Sequence, residues 1–275
     1  MKRLLSVLCI TALLLGSITG CGKEEVTLEQ PYDIYETTGS LGLGTTVSAG
    51  AQEYFSKDLC VADDVSLGTD TTDSQVAEGA GTFNLATNEI VYAKNIYERL
   101  YPASTTKIVT ALVALKYGNL DDVVTIGYNA THITEYGAKL CGFAEGDKIT
   151  LKKLLYSFLI CSGNDAGIAI AEHISGSVEK FAELMNKEAK SLGCSGSNFV
   201  NPHGLHDDNH YTTPYDLYLV FHELLNYDVF MDIINQSSYK AEFKGADGSK
   251  KTLWFSSTDK YLLGSAKAPD GVTVI

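Results

Sequence analysis

The stretch Tyr101-Pro102-Ala103-Ser104-Thr105-Thr106-Lys107 runs straight into the apolar segment Ile108 to Tyr117, and it constrains this chain more than any other. Pro102 suits a helix entry, because its ring fixes φ and its missing N–H costs little there, and Gly118 after Lys116-Tyr117 is a natural stop. Between them Ile108, Val109, Ala111, Leu112, Val113, Ala114 and Leu115 are apolar nearly all the way round. A helix of that composition belongs inside a core, so the rest of the chain must wrap it.

Ser104 and Lys107 are three residues apart, which on a helix puts them one turn apart on one face. A serine hydroxyl is too weakly acidic to attack a carbonyl unaided, and a desolvated lysine beside it is neutral enough to take the proton. The free N–H groups and positive end of the same helix favour an oxyanion beside Ser104. The same residues also read as a polar first turn with a capping hydroxyl. Spacing alone does not choose, since Ser177/Lys180, Ser237/Lys240 and Ser257/Lys260 repeat it; only Ser104 precedes a long, wholly apolar helix.

Residues 1–20 carry Lys2 and Arg3, the apolar run Leu4 to Leu15 and small residues before Cys21, the pattern of an export signal. Ile18-Thr19-Gly20-Cys21 resembles a bacterial lipobox, which implies lipidation of Cys21 and anchoring on the outer face of the cytoplasmic membrane. A plain transmembrane anchor is the alternative, although the apolar run is short for a bilayer. Residues 21–73 are rich in Gly, Thr, Ser, Asp and Glu, with one short element near Glu53 to Val61, and read as an acidic tether. The domain proper is expected over 74–275.

From Gln75 the pattern changes. Val76 to Phe83 and Glu89 to Ala93 flank Ala86-Thr87-Asn88 as a β-hairpin that delivers the chain to the Ser104 helix. Val123 to Ile126 reads as a short strand, Tyr128 to Lys148 as irregular, and Thr150 as the cap of an apolar helix through Cys161. Asp165 to Ile174, Ser177 to Leu192 and Thr213 to Leu225 follow as helices, the last with Pro214 in its first turn. Ser238 to Phe243 and Lys251 to Phe255, joined through Gly245-Ala246-Asp247-Gly248, form a second hairpin. The formal charge of −13 argues against a nucleic-acid or anionic-lipid surface. Cys60, Cys141, Cys161 and Cys194 remain after Cys9 and Cys21 are set aside; an exported protein can pair them but need not.

Ser162-Gly163-Asn164 is the only Ser-x-Asn in the chain and lies between two helices. A helix junction can project side chains into a cleft, where Ser162 could relay a proton and Asn164 could bond a substrate backbone. It also reads as a turn and N-cap for the next helix.

Taken in order, Tyr101 to Lys107, Leu154-Leu155 leading to Cys161-Ser162-Gly163-Asn164-Asp165-Ala166, Phe181 with Leu184-Met185-Asn186, Phe199-Val200-Asn201-Pro202-His203-Gly204-Leu205, and His210-Tyr211-Thr212-Thr213 with Asp216 resemble the D-alanyl-D-alanine carboxypeptidase family of penicillin-recognising serine enzymes. The resemblance covers about residues 75 to 275. It implies an α/β (α+β) fold, a β-lactamase/DD-peptidase-like cluster of helices against an antiparallel sheet, and acyl transfer on peptidoglycan stem peptides without a cofactor. Ser104 would attack the bond between two terminal D-alanines, Lys107 would take its proton, Ser162 would pass protons to the leaving amine, and Asn164 would orient the substrate. β-Lactams would mimic that substrate and trap Ser104.

The family's third motif, Lys-Thr-Gly, is absent: Lys251-Thr252 precedes Leu253, and Lys116-Tyr117-Gly118 lies in the nucleophile helix. Asp270 to Ile275 resembles the approach to that motif, so the chain is expected to be a fragment with a sheet incomplete at its C-terminus, Val272 to Ile275 forming a strand stub beside the first hairpin. These 275 residues are accordingly expected to turn over little substrate. His203, His206 and His210, with Asp207 and Asp208 between, have the spacing of a zinc cluster, but they fall on the family's metal-free Asn-Pro-His-Gly-Leu loop, so no metal is expected. Two other readings stand beside the carboxypeptidase. A β-lactamase needs a deacylating base, and Glu172, Glu179, Glu183 and Glu188 all fall in helical runs. A non-catalytic cell-wall binding lipoprotein would keep the fold without turnover.

Overall fold

The computed structural model describes residues 56–61, 63, 66–68, 77–268 and 270. The export segment, Cys21, most of the tether and the stretch Val272 to Ile275 lie outside the described residues. Strands β1 (Ala80–Asn84) and β2 (Glu89–Lys94) form the first hairpin, with a bulge between Thr82 and Phe83. A single 3₁₀ turn, Ala103–Thr105, then feeds helix α1 (Thr106–Tyr117). Strand β3 (Val123–Thr125), helix α2 (Tyr128–Thr131) and strand β4 (Lys148–Thr150) lead to helices α3 (Leu151–Cys161), α4 (Asn164–Ser175) and α5 (Val178–Ser191). Helices α6 (Pro214–Leu224) and α7 (Asp228–Ile234) precede the second hairpin, β5 (Ser238–Lys244) and β6 (Lys250–Ser256).

The all-round apolar helix is the centre of the molecule. Thr106, Lys107 and Val109 to Ala114 of α1 are buried, and α3, α4, α5 and α6 pack around it. Gly118 ends it for a reason other than backbone freedom: its φ is −90°, but a Cβ there would lie 2.5 Å from Leu151 Cδ2 and 2.7 Å from the Ala114 carbonyl. The Leu151 methyl can give way, but the Ala114 backbone carbonyl cannot, so glycine fits this position best. The surrounding helices start where their capping residues stand. Thr150 Oγ1 accepts from Lys153 N, Ser177 Oγ from Lys180 N, and Thr213 Oγ1 from Asp216 N.

The four-stranded antiparallel sheet runs β3-β4-β5-β6, with β4 and β5 meeting only at Lys148 and Lys244. Strand β5 packs on α3, where Lys153 Nζ donates to the Glu242 carbonyl at 2.8 Å. Helix α2, strand β4 and helix α7 were not expected from the sequence. The first two are three or four residues long, and α7 is a two-turn helix whose Phe230 and Ile233 are buried. Part of the stretch read as tether packs on the domain: Cys60 N donates to Tyr218 Oη, Tyr215 Oη donates to the Cys60 carbonyl, and Leu67 pairs with Ala93. No described helix is long and apolar enough to cross a membrane.

Candidate active site

Ser104 stands on the 3₁₀ turn, exposed, and Lys107 lies beneath it on the first turn of α1 with only 4% of its surface exposed. Lys107 Nζ is 3.2 Å from Ser104 Oγ, 2.9 Å from Asn164 Oδ1 and 2.7 Å from the His203 carbonyl oxygen. Burial pushes the Lys107 amine down to about 8; the thiols of Cys161 and Cys141 oppose that shift and the charge of Lys139 adds to it. The neutral amine has two N–H groups and one lone pair. With the two N–H groups given to Asn164 and His203, the lone pair faces the Ser104 hydroxyl, which donates to it. After proton transfer the ammonium has three N–H groups for the same three acceptors, so both states are satisfied.

Ser162 Oγ donates to Ser104 Oγ at 3.1 Å. Ser162 is the residue after α3, at φ 60°, and that left-handed conformation turns its side chain out of the helix line toward Ser104. Among the described residues the non-glycine positions at positive φ are Asn88, Asn95, Ala103 and Ser162. The two asparagines are ordinary turn residues, whereas Ala103 adjoins Ser104 and Ser162 bonds to it. Among the described residues, strained backbone at side chains other than asparagine thus lies at this site. Gly163, not Asn164, is the N-cap of α4, so the Asn164 amide is left free to reach Lys107.

Asp165 anchors the facing wall. Its carboxylate accepts from Cys141 N at 2.8 Å and Gly142 N at 2.9 Å, while Asn164 N donates to the Lys139 carbonyl at 2.7 Å. On the other side, Asn201 Oδ1 accepts from His203 N and Gly204 N, and Asn201 Nδ2 donates to the Leu205 carbonyl. This tight turn aims two carbonyls at α1: Thr110 Oγ1 donates to Pro202 O at 2.7 Å, and Lys107 to His203 O. Gly204 has φ +85°, and a Cβ on it would fall 1.7 Å from the Ala103 carbonyl oxygen. Only glycine lets the turn sit against the Ser104 loop.

The three histidines of that loop do not converge. Val200 N donates to His210 Nδ1, which leaves Nε2–H to donate to Thr106 Oγ1 at 2.7 Å, and burial pushes this imidazole down to about 4. His203 Nδ1 accepts from Leu205 N, and burial first, then the charge of Lys107, pushes it down to about 3. His206 is exposed, against Asp208 and the Tyr101 ring. Among the described residues no three His, Cys, Asp or Glu side chains are grouped to hold a metal. The four glutamates weighed as a second base also lie on helices: Glu172 accepts from Asn129 Nδ2, and Glu188 holds Lys116 and Tyr117. Lys251, the other lysine of a near-match to the third motif, pairs with Asp147 at 2.7 Å.

The family model described as D-alanyl-D-alanine carboxypeptidase matches residues 69–272. The chain belongs to that family. It is 35% identical over 192 residues to D-alanyl-D-alanine carboxypeptidase DacF of Bacillus subtilis, covering 68% of this chain and 47% of that one. It is 38% identical over 136 residues to the Haemophilus influenzae DacA carboxypeptidase, covering 48% and 35%. The chain thus spans about half the length, or less, of these curated relatives. Against the D-alanyl-D-alanine carboxypeptidase of Streptomyces sp. strain K15 the identity is 31%, covering 71% of this chain and 70% of the relative. The crystal structure of the Streptomyces K15 DD-transpeptidase superimposes with a TM-score of 0.66 at 29% identity, over 70% of this chain and 78% of that one. The expected cluster of helices against an antiparallel sheet is therefore the family's fold, and the ordered motifs were a sound guide to it.

The His203 carbonyl, Gly204, Asp165 and the Thr106–His210 bond were not singled out as parts of the site from sequence. A signal for the first two existed, because Asn201 followed three residues later by Gly204 is the pattern of an asparagine-held turn.

Proposed function

We propose that the chain carries the acylation centre of a serine D-alanyl-D-alanine carboxypeptidase acting on peptidoglycan stem peptides. The observation that carries this reading is the saturation of Lys107: with two acceptors fixed by Asn164 and His203, its lone pair has one remaining partner, Ser104 Oγ. In this scheme the Ser104 oxygen attacks the carbonyl of the penultimate D-alanine as its proton passes to Lys107 Nζ. The Ser104 backbone N–H helps hold the oxyanion, an effect of about 2.7 to 4 kcal/mol per donor. Collapse of the tetrahedral species breaks the peptide bond, and Ser162 passes the proton from Lys107 to the departing amine. Water then hydrolyses the ester on Ser104 by the reverse proton route, while the Asn164 amide N–H, which Lys107 does not use, holds the substrate backbone.

The family resemblance assigns the terminal-carboxylate cation and a second oxyanion donor to a Lys-Thr-Gly motif that the 275 residues do not contain. The test is to incubate the purified chain with a reporter penicillin and map the adduct by mass spectrometry. A lasting adduct on Ser104, absent in Ser104→Ala, supports the proposal; rapid release points to a β-lactamase, and no adduct to a binding protein. Anchoring through Cys21 belongs to the same proposal, and incorporation of a labelled fatty acid that survives Cys21→Ala would overturn that part.

A further inference from the structure

Two of the four cysteines described stand directly beside the site. Cys141 Sγ and Cys161 Sγ are 3.2 Å apart, 20 positions apart in sequence. Cys161 ends α3 and is followed by Ser162; Cys141 lies in the wall segment whose backbone Asp165 and Asn164 hold. Gly163 makes room for the pairing, since a Cβ on it would come within 2.3 Å of Cys141 Sγ. The other two thiols have no such partner: Cys60 Sγ donates to the Asn84 carbonyl and Cys194 Sγ to the Asp216 carbonyl. From this placement we infer that Cys141 and Cys161 are a disulfide-forming site, a redox staple that ties the wall segment to the Ser162 turn, with an external disulfide as the oxidant.

The backbone of the wall segment is anchored by Asp165 and Asn164, and the sulfurs have to close only from 3.2 Å to the bonded separation of about 2 Å. The two thiols have different parts. Cys161 is half-buried and Cys141 is 8% exposed, so an external reagent meets Cys161 first. The hydrogen bond from Cys141 lowers the Cys161 thiol, burial raising it and nearby Lys107 lowering it more weakly, whereas burial pushes Cys141 well up. The Cys161 thiolate attacks one sulfur of the external disulfide, forming a mixed disulfide and expelling one thiolate. Cys141 then gives its proton to solvent and attacks Cys161 Sγ, expelling the second thiolate. Two cysteines are oxidised by two electrons, and the external disulfide is reduced to two thiols.

The test needs no substrate. The folded chain is equilibrated in glutathione disulfide, free thiols are alkylated after denaturation, and peptides are mapped without reduction. The expected result is a Cys141–Cys161 link with Cys60 and Cys194 alkylated, and an unfolding midpoint that rises on oxidation in the wild type but not in Cys161→Ser. Alkylation of all four cysteines, a link through Cys60 or Cys194, or an equal rise in Cys161→Ser would overturn the inference. Because the map is independent of acylation, a chain that forms the link yet takes no penicillin breaks only the acyl-transfer reading.

Discussion

Ser104/Lys107 and Ser177/Lys180 have the same spacing, and both serines stand just before a helix. In the second pair the Ser177 hydroxyl accepts from Lys180 N at 3.3 Å, the lysine side chain is in solvent, and the motif is a helix cap. In the first pair no side-chain cap bond is made at the helix entry, the serine is displaced onto a 3₁₀ turn, and the lysine is buried against three acceptors. The chemistry therefore lies in what surrounds the motif. Capping spends the hydroxyl on a backbone N–H, whereas the loops beside Ser104 leave its hydroxyl to Lys107 and Ser162 and remove water from its base.

The largest effect separating the two sites should come from the lysines. Lys107→Met is expected to slow acylation by a reporter penicillin by about 10²- to 10⁴-fold, the usual contribution of a positioned base, while Lys180→Met leaves the rate unchanged. Equal effects of the two substitutions would erase the distinction. Next comes the loop that supplies the His203 carbonyl. Gly204→Ala places a side chain at φ +85° against the Ala103 carbonyl, and should cost about 1–2 kcal/mol for the left-handed backbone alone. Displacement of the Ser104 turn by about 1 Å would lower acylation by about 10²-fold. Thermal unfolding and acylation rates of the same variant check both. Smallest is the cap: Ser177→Ala should lower stability by about 1 kcal/mol with acylation untouched, as denaturant melts would show.

Burial of Lys107 also leaves a signature in stability. Its amine is near 8 when folded and 10.5 in the ordinary case, so between those values the unfolded chain binds more protons than the folded one. The Lys107 contribution to stability therefore rises as pH rises through that window. Lys107→Met should flatten this part of the pH-stability curve, and an unchanged slope would show that the amine is not desolvated.

The legibility of the molecule divides along the same line. Thr150 announces its helix because a cap is a local bond between residues three apart, and Ser177 and Thr213 make the same kind of bond at the starts of theirs. Ser104, Lys107, Ser162 and Asn164 could be named from ordered motifs, and the structure brings all four together. The third acceptor on Lys107 could not be named, since it is a backbone carbonyl 96 residues away and any residue type carries one. Gly118 marks the right helix end in the sequence, but its crowding by the Ala114 carbonyl and the Leu151 side chain is visible only in the structure. The Cys141–Cys161 contact was likewise closed to sequence, four cysteines giving no pairing by themselves.

If burial turns Lys107 into the base for Ser104, the pH dependence of the acylation rate at Ser104 measures it directly. The rate is expected to climb roughly tenfold per pH unit on the acid side and to level off above a midpoint near 8. A rate that is flat across that midpoint, or one that keeps climbing to the ordinary lysine value of 10.5, would contradict it.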